Sequence, residues 1–197
     1  MLQEFSQEVE NTARSVVDEI HTALPATIVA FDAAKGLANV QPIGKYVTAD
    51  GSLINYPTIT EAPIVFPYSQ QSNVGIGFPI KVGDSCMVII SEVELDEWRS
   101  GADSEGSLRF DLTSAMVIPG LIKGNVKLTS KATNSNAVVI SSGSSEITVS
   151  KGGIAISGSL TVSGNITCTG DIKSGAISLQ NHTHTSSEPG SSTGKAE

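Results

Sequence analysis

The sequence predicts a mainly β chain: an N-terminal helix, an OB-fold barrel, then an intertwined β-helix that one chain cannot complete alone. Three observations predict this. All nine aromatic residues lie before residue 111, and seven of the eight prolines lie before residue 120. From 129 to 180, 25 of 52 residues are Ser, Thr or Gly. Charge follows the same division, at −4 over 1–24, −6 over 25–120 and +2 over 121–197. A single uniform globule does not partition its residues in this way.

Residues 1–24 form the first segment. Leu2, Phe5, Val9, Ala13, Val16, Ile20 and Leu24 recur at spacings of three and four, one stripe of a helix, which Pro25 is expected to end. Such a helix either packs on its own domain or joins copies of itself or a partner.

Residues 25–122 read as the barrel. Apolar or alternating runs at 27–31, 37–43, 64–66, 85–91 and 116–118 are separated by turn signals at Lys35-Gly36, Asp50-Gly51 and Val82-Gly83-Asp84. Five or so short strands suit an OB-type barrel. A strand-binding barrel pairs stacking aromatics with a positive groove. The −6 charge of 25–120 argues against any nucleic-acid partner.

Residues 123–180 are expected to be a shaft. Val138 and Ile140, Ile147 and Val149, Ile154 and Ile156, Leu160 and Val162, and Ile166 and Cys168 each place two apolar residues on one strand face. Glycines punctuate the pairs, and no aromatic or helix-forming stretch is evident. Two apolar side chains per short strand, at about 1.5–3 kcal/mol each when buried, do not offset about 1–2 kcal/mol of backbone ordering per residue. Three identical chains wound about one axis would merge three narrow stripes into one core, so a homotrimer is expected. Cys168 then falls in the inward set and Cys86 in an apolar run, and neither is a candidate site.

Residues 181–197 form the tip. On an extended strand, His182 and His184 project to the same side. One chain's pair cannot close a metal site. Three chains supply six imidazoles, and an octahedral set of nitrogen donors suits iron(II) or nickel better than four-coordinate zinc. With no open position, such a metal is structural and pins the chain ends together.

The order of barrel, Ser/Thr/Gly-rich β-helix and terminal His-x-His resembles the central spike, or cell-puncturing protein, of contractile phage tails, the baseplate assembly protein V-like family, and the spikes of R-type bacteriocins. The local matches are Leu95-Asp96-Glu97-Trp98-Arg99-Ser100-Gly101, Arg109-Phe110-Asp111-Leu112-Thr113-Ser114-Ala115, Ile118-Pro119-Gly120-Leu121, and His182-Thr183-His184 followed by Pro189-Gly190 and Ser192-Thr193-Gly194. The last residues, Lys195-Ala196-Glu197, depart from relatives that carry a proline there. The resemblance implies a homotrimer at the baseplate tip of the virion. Its barrels meet a hub protein and the tail tube, its point presses on the host outer membrane, and one iron ion is held by His182 and His184 of each chain.

No enzymatic activity is expected. Lysozyme-type chemistry needs paired carboxylates in a cleft. Glu92, Glu94, Asp96, Glu97, Asp103 and Glu105 instead read as a solvated loop around Trp98, with no His or Ser constellation beside them. His21 is placed in the N-terminal helix without a role, and Gly75-Ile76-Gly77 precedes Phe78-Pro79, not a helix, so it fails as a phosphate loop. Two distant cysteines give a disulfide little support, and an acidic start without an apolar core is no signal peptide, so assembly in the host cytoplasm is expected. The alternative reading is a trimeric tail-fibre tip or adhesin with a β-helical stalk. That reading predicts glycan or cell binding by the isolated protein.

Overall fold

The computed structural model describes residues 2–18, 20–48, 50–102, 109–124 and 126–183. The chain divides into two compact units, residues 1–126 and 127–197. Among the described residues, no helix is long and apolar enough to cross a membrane.

The first unit opens with helix α1 (Leu2–Asp18). Its apolar spacing continues to Leu24, but the helix does not. The Ile20 N–H donates to Val17 O in a closing turn at 3.1 Å, and the chain then enters β1 (Ala23–Asp32). Leu24 pairs with Val88 and Pro25 with Met87 across the next strand, so sheet pairing overrides the helical periodicity. Pro25 is a strand residue here, not a helix terminator.

The remaining strands of this unit are β2 (Leu37–Pro42), β3 (Lys45–Val47), β4 (Leu53–Asn55), β5 (Ile59–Pro63), β6 (Tyr68–Ser69), β7 (Val74–Gly75), β8 (Ser85–Ile90) and β9 (Ala115–Pro119). β3–β4 and β6–β7 are separate hairpins. The other five form one antiparallel sheet in the order β5-β2-β1-β8-β9. The sheet curls until its two edges meet: Ile64, just past β5, bridges Val117 of β9 in parallel, and the Val65 N–H donates to Val117 O at 2.8 Å. Five strands in this cyclic order, antiparallel except at the closing bridge, make a partly open OB-like barrel. The expected strand at 64–66 is therefore only a bridge, and the third barrel strand lies one step earlier.

Alternation builds the core. Ala26 and Ile28, Ala38 and Val40, Cys86, Val88 and Ile90, and Ala115 and Val117 all point inward and are buried. The four buried alanines, including Ala62, keep the barrel narrow. β5 departs from alternation. Ile59 and Ala62 are both buried although three apart, because residues 60 and 61 together oppose Asn39 alone. Glu61 takes a left-handed φ of 54° in this bulge, and its N–H donates to Asn39 Oδ1 at 2.9 Å. The Ile59–Pro63 run hid from a search for alternation for this reason.

Between β8 and β9 lies α2 (Leu95–Ser100). The cluster around Trp98, expected as a loop, thus has a helical turn at its centre. Gly101 closes it at φ 80°, with Gly101 N–H to Trp98 O and Ala102 N–H to Glu97 O, a Schellman cap. Buried Ser114 ties it to the barrel: its Oγ accepts from Leu95 N–H at 3.4 Å and its carbonyl from Ser91 N–H at 2.9 Å.

Asp111 caps the short 3₁₀ turn (Leu112–Ser114) that leads into β9, its carboxylate accepting from Thr113 N at 2.9 Å and Thr113 Oγ1 at 2.6 Å. These two bonds hold its carboxyl below the ordinary aspartate range. A depressed folded-state pKa contributes stability above the unfolded value, and that contribution is lost as pH falls through the folded one. D111A is expected to cost the barrel about 1 kcal/mol at pH 7. The gap between D111A and the parent should narrow as pH falls below the ordinary aspartate value, as read by urea unfolding at pH 7 and in acid.

The second unit begins with a helix, α3 (Lys127–Ser135), where only short strands were expected. Lys127, Leu128, Lys131 and Ala132 favour helix, and Asn136 at φ 47° ends it. Asn136 N–H reaches Thr133 O and Ala137 N–H reaches Ala132 O, again a Schellman cap. Then follow β10 (Val138–Ser142), β11 (Ser145–Ser150) and β12 (Gly153–Ser157), an antiparallel meander, and the small hairpin β13 (Lys173–Ser174) and β14 (Ile177–Ser178). The three expected pairs from 138 to 156 fall on these strands. Leu160 and Val162, and Ile166 and Cys168, do not: 159–172 contains no strand, and Cys168 is exposed in the single chain. An extended segment this short has too few partners within one chain to form a ladder.

Candidate functional site

Two regions concentrate the unusual features. The first is the β10–β12 sheet. Its register aligns Val138 with Val149 and Val149 with Ile154, and Ile140 with Ile147 and Ile147 with Ile156. Period two puts all six side chains on one face. They are 39–69% exposed in the single chain. The other face carries Val139, Ser141, Glu146 and Thr148, and α3 reaches it through Lys131, whose Nζ lies 2.6 Å from Glu146. Lys131 first, then Thr148, holds the Glu146 carboxyl below its ordinary range. Helix and ion pair thus serve the polar face, and the apolar one stands open.

The second region is the segment leading to the tip. Gly175, at φ 61°, starts the two-residue turn of the β13–β14 hairpin. Ser178 then organises a tight turn: its Oγ accepts from Asn181 N–H at 2.9 Å and its carbonyl from His182 N–H at 3.0 Å. Upstream, Leu179 N–H donates to Ile172 O at 2.8 Å and Gln180 N–H to Asp171 Oδ1 at 3.3 Å. His182 therefore leaves a turn, where an extended strand was expected. Its ring Nδ1 lies 2.9 Å from Ser178 O and 3.1 Å from Leu179 O. Carbonyls only accept, so Nδ1 is the donor in both contacts. Metal-binding histidines are commonly oriented in this way. His184 and the rest of the tail lie outside the described residues. Within one chain, the described residues gather no group of three or more His, Cys, Asp and Glu that could hold a metal.

The acidic cluster is spread over α2 and its flanks. Glu92 pairs with Arg109 at 3.0 Å and Asp96 with Arg99 at 3.5 Å, and Trp98 projects from α2 with 69% of its surface exposed. Asp103 and Glu105 lie outside the described residues. Cys86 is fully buried, and burial raises its thiol to about 11, which keeps it protonated.

One aromatic cluster escaped the sequence reading. His21 is not in the helix but follows it, with its ring edge-on to Tyr56 at 5.5 Å, and Tyr46 lies 5.6 Å from Tyr56. The only sequence signal was a histidine adjacent to the strand that opens the barrel.

Fold and sites together define a modular, mainly β protein: an OB-like barrel followed by a β-rich polar segment with one apolar face. Residues 24–120 match the family described as phage protein Gp138 N-terminal domain. The match covers just under half of the chain and follows the barrel, from the second residue of β1 to one residue past β9. This similarity supports a phage protein with a structural role and a place in the virion. No curated protein matches the chain.

Proposed function

We propose that the chain is the central spike of a contractile phage tail, or of a related bacteriocin particle, and that it pierces the host envelope mechanically as a homotrimer. The observation that carries this reading is the β10–β12 face. Six β-branched aliphatic side chains share one side of a three-stranded sheet and are open to water in one chain. Three such faces turned inward make a continuous core, at about 1.5–3 kcal/mol for each side chain fully buried. The Gp138 match over the barrel supports the phage context. In this reading the barrel binds a baseplate hub protein and the tail tube, and the acidic charge of 25–120 turns nucleic acid away. The shaft catalyses no reaction. It transmits force to the outer membrane.

His182 and His184 of three chains hold one iron(II) at the tip in this reading. The donor set fits, because the Nδ1 contacts of His182 with two backbone carbonyls orient its ring as the rings of metal-binding histidines commonly are. Bound there, the metal supplies a structural clamp and no chemistry.

Native mass measurement with metal analysis tests both parts. Three chains and one iron are expected, and H182A/H184A should lose the metal. Acidification of the parent should release it too, because protonated imidazole cannot ligate. A monomeric chain defeats the spike reading. A trimer purified natively without metal defeats the tip site alone.

A further inference from the structure

An ordinary amphipathic helix turns its apolar face to its own domain, whereas the described residues of α1 from Gln3 to Val17 are all exposed. Its polar residues Asn11, Arg14 and Ser15 share a cavity of about 850 Å³ with His21, Tyr46 and Tyr56. Phe5, Val9, Ala13 and Val16 line a groove on the opposite side, roughly 150° away at 100° per residue. Phe5, Val9 and Val16 are each more than half exposed. Its own barrel does not cover this stripe. The family match begins at residue 24, so the helix also lies outside the domain that the family describes.

We propose that α1 is a homotypic interface, packing in parallel against α1 of other copies of this chain. Three observations name the occupant. First, Phe5, Val9, Thr12 or Ala13, and Val16 follow one another at spacings of three and four, a narrow stripe that fits against another helix.

Second, the edges of the seam suit identical partners. In the heptad that places Val9 and Val16 at a, positions e hold Ser6 and Ala13 and positions g hold Glu8 and Ser15. In a parallel pair, Glu8 therefore faces Ala13 or Ser6 of its neighbour, and no acid opposes an acid. The other acids of the described helix lie off the seam, and Glu10 is already paired with Arg14 at 2.8 Å. A foreign helix would find almost no charge there by which to be selected.

Third, a 17-residue helix is marginal in water without tertiary cover. Rotational symmetry gives every copy the same uncovered stripe at the same end. The parallel arrangement and the number of copies rest on the spike reading.

Cysteine cross-linking in the full chain tests this. In a C168S background, which removes the exposed native thiol, V9C places a thiol in the seam and Q7C places one on the outer face. Under mild oxidation, V9C should link copies at least about tenfold faster than Q7C, because a shared interface raises the effective thiol concentration. V9E/V16E should separate the helices, read as loss of helical signal at unchanged barrel stability. Equal rates for V9C and Q7C in a protein that light scattering shows to be trimeric would overturn the helix interface and leave the spike reading standing. Fast V9C linkage in a protein that never reaches three chains would support the helix interface and remove the spike reading.

Discussion

The double substitution I140K/I147K should turn the proposed three-chain assembly into single chains while the barrel remains folded. The two residues face each other across β10 and β11, in the row that continues to Ile156. Each is exposed in the single chain, at 61% and 39%, so lysine meets water there and the isolated fold loses little. The effect therefore falls on association. Assembly would have to forgo about 1.5–3 kcal/mol per buried isoleucine. It would also have to bury ammonium groups against one another, which costs far more. Light scattering is expected to fall from three chains to one, with the urea midpoint of the first unit unchanged. Persistence of the trimer would show that this face is not the core. S141K/S157K, at two exposed positions on the opposite face, serves as the matched control.

The second large effect belongs to the barrel. Ile28 is fully buried on β1, the strand held between β2 and β8, and sits opposite Val40. I28A should destabilise the first unit by about 2–5 kcal/mol, in the upper part of that range if the closed ring of strands cannot collapse into the cavity. Against a typical total of about 5–15 kcal/mol, this is a large fraction. V29A, next along the strand but 43% exposed, should cost under about 0.5 kcal/mol. Cys86 offers a direct readout, because its buried, protonated thiol reacts with alkylating reagents only when the barrel opens. Alkylation of Cys86 should accelerate in I28A and not in V29A. Equal rates in the two variants would mean that Ile28 is not a keystone of the core.

Where alternation ran unbroken, the fold was legible in the sequence. β1, β2, β8 and β9 were found from apolar residues two apart, and Gly36, Gly51 and Gly83 mark turns where positive φ is required. Legibility failed where tertiary pairing redirected the chain. The bulge at Glu61 put Ile59 and Ala62 on one side at a spacing of three, and the β1–β8 ladder took Leu24 from the helix. In the second unit, Ser, Thr and Asn concealed α3, because these residues favour caps and turns over helix interiors. The six-residue apolar face was visible as pairs, but its assembly into one sheet needed the meander register. At the tip, His182 was identifiable, whereas its Nδ1 contacts with Ser178 and Leu179 depend on a turn that no residue spacing encodes.

The parallel bridge between Ile64 and Val117 also sets an order of events during synthesis. The barrel ring cannot close until the ribosome has delivered β9, since its last seam joins residues about fifty positions apart, and such non-local pairing forms slowly. Strands β10–β12, proposed to join copies of the chain, emerge only afterwards, behind α3. A nascent chain can thus close its barrel before it exposes the strand face proposed to join its siblings, which would limit entanglement of that face among chains on one messenger. A slower-closing barrel, as in I28A, would lose that head start, and its extra cost would appear as aggregate in the cell and not only as a lower unfolding midpoint.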